Sequence, residues 1–381
     1  MVFVSAGLLL SPAIIGVIEP GAGQSTMLLV AEIALVLTLF SDAASIDIRA
    51  LRRGGILPVR LLIVGLPLTI LTGGLIAIGL FPGISLAEAA LVGTVLAPTD
   101  AALGKAIVTN PRVPLGIRQA LNVESGLNDG GAIPFFYFFL ALAAESTGVP
   151  EQSLAMSALV LIGIGLVVGL AVGFVGAWLV DTAERRESMT GTLRWIAFIA
   201  LALIAWVGAE HLGGIGFIAA FVGGLAVAAW EREIGRSALE FAEVEGEILN
   251  LTVFFILGLF AIVLLAGFSW TVLLYAVLSL TVIRMVPVAL SLIGIRLGLP
   301  TILFLGWFGP RGLASIVLLL IIFVDVSTLP GMATVQAVIV TTILLSVFAH
   351  GISAPPIIGR YARTIESSGR SVDASPAPPR P

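Results

Sequence analysis

Apolar residues run along this chain in long blocks, not in the narrow stripes of soluble helices. Blocks of spanning length recur at about 2–18, 26–44, 56–80, 86–107, 114–144, 153–180, 193–211, 213–230, 247–266, 269–294, 300–324 and 333–354. A membrane-crossing helix needs about 20 such residues, so the pattern predicts an all-α polytopic membrane protein of about twelve spans. Basic residues fall on alternate connections. Arg49, Arg52, Arg53 and Arg60 lie in or beside the second, and Lys105, Arg112 and Arg118 flank the fourth. Arg185, Arg186 and Arg194 mark the sixth, Arg232 and Arg236 the eighth, Arg296 the tenth, and Arg360, Arg363, Arg370 and Arg380 the C-terminal end. The odd-numbered connections carry neither Lys nor Arg. The positive-inside rule therefore places the even-numbered connections and the C-terminus in the cytoplasm.

Residues 1–364 read as one transmembrane domain. From Ile365 to Pro381 the chain is rich in Ser, Pro and Ala, with nothing to bury, and reads as a disordered cytoplasmic tail. The charged stretch 231–247 reads as an amphipathic connection. The first block begins at Met1 without a basic flank, unlike a signal peptide, and reads as the remnant of a fold whose first span is missing.

Composition narrows the chemistry. Of 381 residues, 59% are hydrophobic and 11% charged, with a mean hydropathy of +1.14. A soluble domain carries about 25% charged residues. The net charge of −4, without a basic patch, excludes a nucleic-acid partner. Zero Cys excludes thiolate metal sites, disulfides and thiol nucleophiles. His211 and His350 lack a second His at ligand spacing and read as satisfied structural or interfacial residues.

A charge at the bilayer centre costs at least about 2.5–3.5 kcal/mol, so ionisable residues inside the blocks are the functional candidates. These are Asp100, Glu124, Asp129, Arg284 and Arg311; Glu32, Asp42, Glu210 and Asp325 lie nearer block ends or stand alone. Asp100 follows Pro98 and Thr99. Pro98 frees carbonyls of the preceding turn, and these, with the Thr99 hydroxyl and the Asp100 carboxylate, are hard oxygen ligands for an alkali cation. A Pro kink with a capping Thr–Asp pair is the alternative. In Asn122–Gly131, helical geometry sets Glu124 over Asn128 and Ser125 over Asp129. That makes one polar stripe, and Gly126, Gly130 and Gly131 leave room for a neighbouring backbone. Arg284 needs a buried partner, and charge balance points to Glu124, leaving Asp129 to titrate. Arg311 sits between Gly309–Pro310 and Gly312, which interrupt a second span. Two Gly/Pro-interrupted spans in two halves of a chain point to a secondary-transporter site. Asp100 and Arg311 there would offset helix dipole ends.

Ala97–Asp100, Glu124–Gly130 and Gly309–Ser315, in that order, with an Arg-bearing span before the last, resemble the monovalent cation:proton antiporter-1 family. These are the NhaP-type sodium/proton antiporters related to the mammalian sodium/hydrogen exchangers. The resemblance runs from Gly7 to about Gly359. It implies a 13-span antiporter fold, here lacking the first span, with inverted repeats and two broken crossing helices. It also implies that Asp129 carries cation and proton, that Asp100, Thr99 and Ser125 help hold Na⁺, and that Glu124 pairs with Arg284. Asn128 before the carrier marks an electroneutral branch. A homodimer in a bacterial inner membrane, with no cofactor and no enzymatic activity, completes the implied picture.

The expected mechanism is competition. Burial disfavours the bare Asp129 carboxylate, so its proton-bound and cation-bound forms cross and its charged form does not. Na⁺ or Li⁺ is the expected cargo; a K⁺/H⁺ or mixed-cation exchanger uses the same ligands. An intramembrane aspartyl protease, with two Asp sharing a proton, is a remote alternative because the chain lacks a Gly-x-Gly-Asp element.

Overall fold

A backbone placed in lipid must satisfy its own hydrogen bonds, and among the described residues this chain forms helices and no strand. The structure is a computed structural model. It describes residues 1–16, 24–46, 56–100, 103–145, 154–189, 191–230, 232–326 and 330–368. The expected basic cluster at Arg49–Arg53 and the tail beyond Ser368 lie outside them, as does the side chain of Asp325.

The helices are α1 (Val2–Leu10), α2 (Gln24–Ala44), α3 (Ile56–Leu80, with a π turn at Leu61–Gly65), α4 (Leu86–Val95) and α5 (Lys105–Val108). There follow α6 (Leu115–Glu145), α7 (Leu154–Arg185), α8 (Gly191–His211), α9 (Gly216–Trp230) and α10 (Arg232–Leu264). The last are α11 (Trp270–Leu280), α12 (Val282–Ser291), α13 (Leu299–Trp307), α14 (Leu313–Asp325) and α15 (Met332–Ser368). Eight helical stretches among the described residues are long and apolar enough to cross a membrane, making the chain a multi-pass membrane protein.

Local chemistry sets several ends. Ser85 and Glu88 close a capping box on α4, and Ser269 accepts the Val272 amide at the start of α11. The block expected at 2–18 is helical only to Leu10, because Ser11 precedes Pro12 and turns extended. The charged stretch from Arg232 runs straight into α10. Helix α15 reaches Ser368, past the expected tail boundary at Ile365. The block at 269–294, expected to be continuous, is interrupted at Thr281, about one and a half turns before Pro287.

Packing gathers α1, α2 and α7–α10 on one side and α3–α6, α11–α13 and α15 on the other, with α14 packed against both. The first is drawn together by glycine. A Cβ on Gly169 would stand 2.5 Å from the Ala219 carbonyl oxygen, and one on Gly173 2.5 Å from that of Gly223. These glycines form a close-packed seam that joins α7 to α9 within the chain. Along its other side α9 meets α2, where a Cβ on Gly224 would stand 2.3 Å from the Phe40 carbonyl oxygen. Gly169→Leu should overpack this seam and cost about 1–3 kcal/mol. It should lower the thermal midpoint in detergent, whereas Gly163→Leu, where nothing lies within 4 Å, should not.

Candidate functional site

The site grows from two interruptions. Helix α4 ends before Pro98, which has no amide to continue the ladder. Helix α13 ends at Trp307, and α14 begins only after Gly309, Pro310 and Gly312. The two breaks touch: the Asp100 amide donates to the Pro310 carbonyl at 2.8 Å. Each bare helix end then meets a charge from the other break. Arg311, 0% exposed, donates through Nη1 to the carbonyls of Ala97 (2.9 Å) and Pro98 (3.2 Å) beyond the end of α4. Its Nη2 donates to the Ser279 carbonyl beside the Thr281 interruption, at 3.3 Å. The Asp100 carboxylate accepts the Leu313 amide at the start of α14 (3.2 Å) and the Leu103 amide (3.3 Å). Each charge sits on the helix dipole end of opposite sign.

The carbonyls around Pro98 are engaged within the protein. Ala97 and Pro98 accept from Arg311, and Val95 accepts from the Ser315 hydroxyl at 2.6 Å. Glycine makes the crossing possible: a Cβ on Gly312 would fall 1.6 Å from Asp100 Oδ2, and one on Gly309 2.6 Å from Arg284 Nε.

The stripe on α6 faces this crossing. Glu124 Oε1 lies 2.6 Å from Arg284 Nη2, both side chains nearly sealed from solvent. One turn on, Asn128 Nδ2 donates to the Thr99 hydroxyl at 2.7 Å, and the Thr99 and Ser125 hydroxyls stand 3.1 Å apart. The structure thus gathers Thr99, Ser125 and Asn128 into one hydrogen-bonded group. Asn128 Oδ1 is buried and has no hydrogen-bond partner among the described residues. Asp129 is buried beside it. None of the ion pairs among the described residues includes Asp129.

Asp42 is the site neighbour that sequence position concealed. It stands near the end of α2, yet its side chain packs on Gly126, where an added Cβ would stand 3.3 Å from Asp42 Cβ. The three glycines of the stripe also depart from expectation. They admit side chains, not a backbone: Asp42 at Gly126, the Phe221 ring at Gly130 and Leu66 at Gly131.

His350 and Ser346, one turn apart on α15, bridge the second break. His350 Nε2 lies 2.9 Å from the Trp307 carbonyl, to which it can only donate. Its Nδ1 lies 3.1 Å from the Ser346 hydroxyl, which accepts the Arg311 amide at 2.8 Å. The histidine is buried as its sequence setting implied; its partners are the Trp307 carbonyl at the break and Ser346 of its own helix, whose carbonyl lies 2.9 Å from Nδ1. A lone His and a Ser in an apolar block gave no signal of that.

The family model of the transmembrane sodium/hydrogen exchangers matches residues 1–359. A sodium, potassium, lithium and rubidium/H⁺ antiporter of Bacillus subtilis (strain 168) is 28% identical over 212 residues, 54% of this chain and 31% of that protein. The Na⁺/H⁺ antiporter 2 of Zygosaccharomyces rouxii is 25% identical over 411 aligned positions, 94% of this chain and 49% of that protein. The chain thus spans about a third to a half of the length of these relatives. Among solved structures, the sodium proton antiporter MjNhaP1 from Methanocaldococcus jannaschii at pH 8 matches with a TM-score of 0.76 at 22% identity. The match covers 95% of this chain and 92% of that one, and it shows a shared fold.

The buried ion pair yields a stability test. Glu124→Gln leaves the Arg284 charge without its counter-charge, which costs about 3–5 kcal/mol. The single variant should lose its monodisperse peak or melt well below the parent in detergent. Glu124→Gln combined with Arg284→Met should recover much of the loss. A fully stable single variant would contradict the coupling.

Proposed function

The chain belongs to the transmembrane sodium/hydrogen exchanger family, and from that premise we propose that it exchanges a monovalent cation for a proton at Asp129. The observation that carries the reading is the difference between three neighbouring carboxylates. Glu124 is held by Arg284, and Asp100 is held by the Leu103 and Leu313 amides. Asp129 is buried with no cationic partner among the ion pairs of the described residues. A buried carboxylate without a counter-charge is costly, and it is relieved by binding either a proton or a small cation. One cation replacing one proton leaves the site's charge unchanged, so the exchange is electroneutral. The neutral amide of Asn128 beside Asp129 supports that stoichiometry.

In this mechanism Asn128 Oδ1, the Thr99 and Ser125 hydroxyls and the Asp129 carboxylate supply hard oxygens to the cation. Asp100 and Arg311 hold the broken helices, and the Glu124–Arg284 pair anchors α6 to α12. The even-numbered connections and the C-terminus lie in the cytoplasm of a bacterial inner membrane, with twelve spans arranged as inverted repeats. Two copies form a homodimer.

Na⁺ is the favoured cargo. A mixed-cation reading has its own support, because the Bacillus subtilis relative is named for sodium, potassium, lithium and rubidium. Counterflow with Na⁺, Li⁺ and K⁺ in proteoliposomes separates the two: exchange of K⁺ at a rate matching Na⁺ selects the mixed-cation exchanger.

Asp129→Asn should abolish cation-driven dissipation of a pH gradient in everted vesicles. Retained dissipation would remove Asp129 from the carrier role. The pH dependence has a definite sign. Protons occupy the carboxylate as pH falls and exclude the cation, so the exchange rate should decline on the acid side. A rate that climbs steadily down to about pH 5 would contradict competition at a buried carboxylate.

A further inference from the structure

Away from the crossing, a cavity of about 330 Å³ lies between the two helix groups. It is lined by Glu32 of α2, Trp206 and Glu210 of α8 and Phe217 of α9 from the first group, by Tyr137 of α6 from the second, and by Ile321 of α14, which packs against both. It sits at the end of the bundle where α6 approaches 145 and α8 ends at His211. Those ends lead into connections without Lys or Arg, which the positive-inside rule assigns to the outer face.

Tyr137 stands eight residues beyond Asp129 on α6, roughly 12 Å along the helix axis at about 1.5 Å per residue. Phe221, one turn along α9 from Phe217, lies against the residue next to the carboxylate. A Cβ on Gly130 would fall 2.2–2.5 Å from its ring atoms, so the ring occupies the space that the missing side chain leaves. The wall that presents Phe221 is tightly fixed. Helix α9 is locked to α7 through Gly169 and Gly173 and to α2 through Gly224. Its first turn is tied back to α8, where Glu210 Oε1 accepts the Gly216 amide at 2.8 Å.

We propose that this cavity is the outer entrance to the exchange pathway and that the Phe221 ring seated on Gly130 is the barrier that closes it from Asp129. The proposal deepens the exchange reading and rests on it. The two carboxylates in the mouth favour cations over anions there. The ring excludes water from the carboxylate, and Gly130 is required because any side chain would hold the ring away. Opening then requires α6 to separate from a fixed α9, not a rearrangement of α9 itself.

The chain has no cysteine, so an introduced thiol reports access without background. Leu140→Cys, lining the cavity, and Asp129→Cys, behind the ring, are each treated in right-side-out vesicles with a membrane-impermeant cationic methanethiosulfonate. Cys at 140 should be labelled from outside. Cys at 129 should be labelled slowly while Phe221 is present. Adding Phe221→Ala should speed labelling at 129 by at least about ten-fold, equivalent to about 1.4 kcal/mol. Phe221→Leu, which keeps apolar packing without the ring, should fall between and covers the case in which the alanine variant does not fold. Equal labelling at 129 with and without the ring, or a thiol at 140 reached only in everted vesicles, would overturn the proposal. Labelling needs no transport, so a wrong carrier assignment shows separately as proton flux that survives Asp129→Asn.

Discussion

Two half-helices that stop inside an apolar bundle leave dipole ends that lipid cannot solvate, and the core is organised around meeting them. Arg311 closes the end of α4 and Asp100 the start of α14. Each charge comes from the opposite break, so each interruption is stabilised by the other. Gly309 and Gly312 follow from that exchange, since a Cβ at either would stand on Arg284 or on Asp100. Glu124 and Arg284 add a second pair that ties α6 to α12. Two cations and two carboxylates are thereby committed to structure. Asp129 is left over in the same buried neighbourhood, and that surplus charge is the one on which the proposed exchange rests.

The second break has further support. A Pro–Arg–Gly segment in the membrane would be free to collapse or to wander. Here the amide of Arg311 and the carbonyl of Trp307 are both held from α15, through Ser346 and His350. The guanidinium is therefore aimed by its backbone as well as by the carbonyls it meets.

Much of this was legible in the chain. Proline and glycine at 98, 309, 310 and 312 forecast both breaks, because those residues remove donors or demand space whatever their surroundings. The i, i+4 stripe on α6 was legible because a carboxylate and an amide in an apolar block have few other uses. The interruption at Thr281 was not, since Thr281 is itself no breaking residue and the contact of Arg311 with the Ser279 carbonyl beside it joins segments far apart in sequence. The partners of His350 and the approach of Asp42 to Gly126 were hidden for the same reason. Each is a contact between segments far apart in sequence, and periodicity reports only which face a residue takes. The glycines of the stripe were visible, but whether they admit a backbone or a ring is a property of the neighbour.

Helix α6 is consequently a two-faced element. Thr99 holds one side through Asn128, and Arg284 holds it through Glu124. These are directional bonds, and they bind α6 to the crossing. On the other side Gly126 and Gly130 receive Asp42 and Phe221 from α2 and α9. The contact with Phe221 is apolar and fits by shape alone. A hydrogen-bonded interface resists sliding because each displaced donor is left unsatisfied in a dry interior, whereas a ring resting on a glycine loses only dispersion contacts. The asymmetry predicts where motion is cheapest. In the proposed exchange the crossing and α6 would move together, and the contact that yields would be the one between Gly130 and the Phe221 ring of α9. Asp129 sits one residue from that contact, which is the position from which a single carboxylate can face first one side of the membrane and then the other.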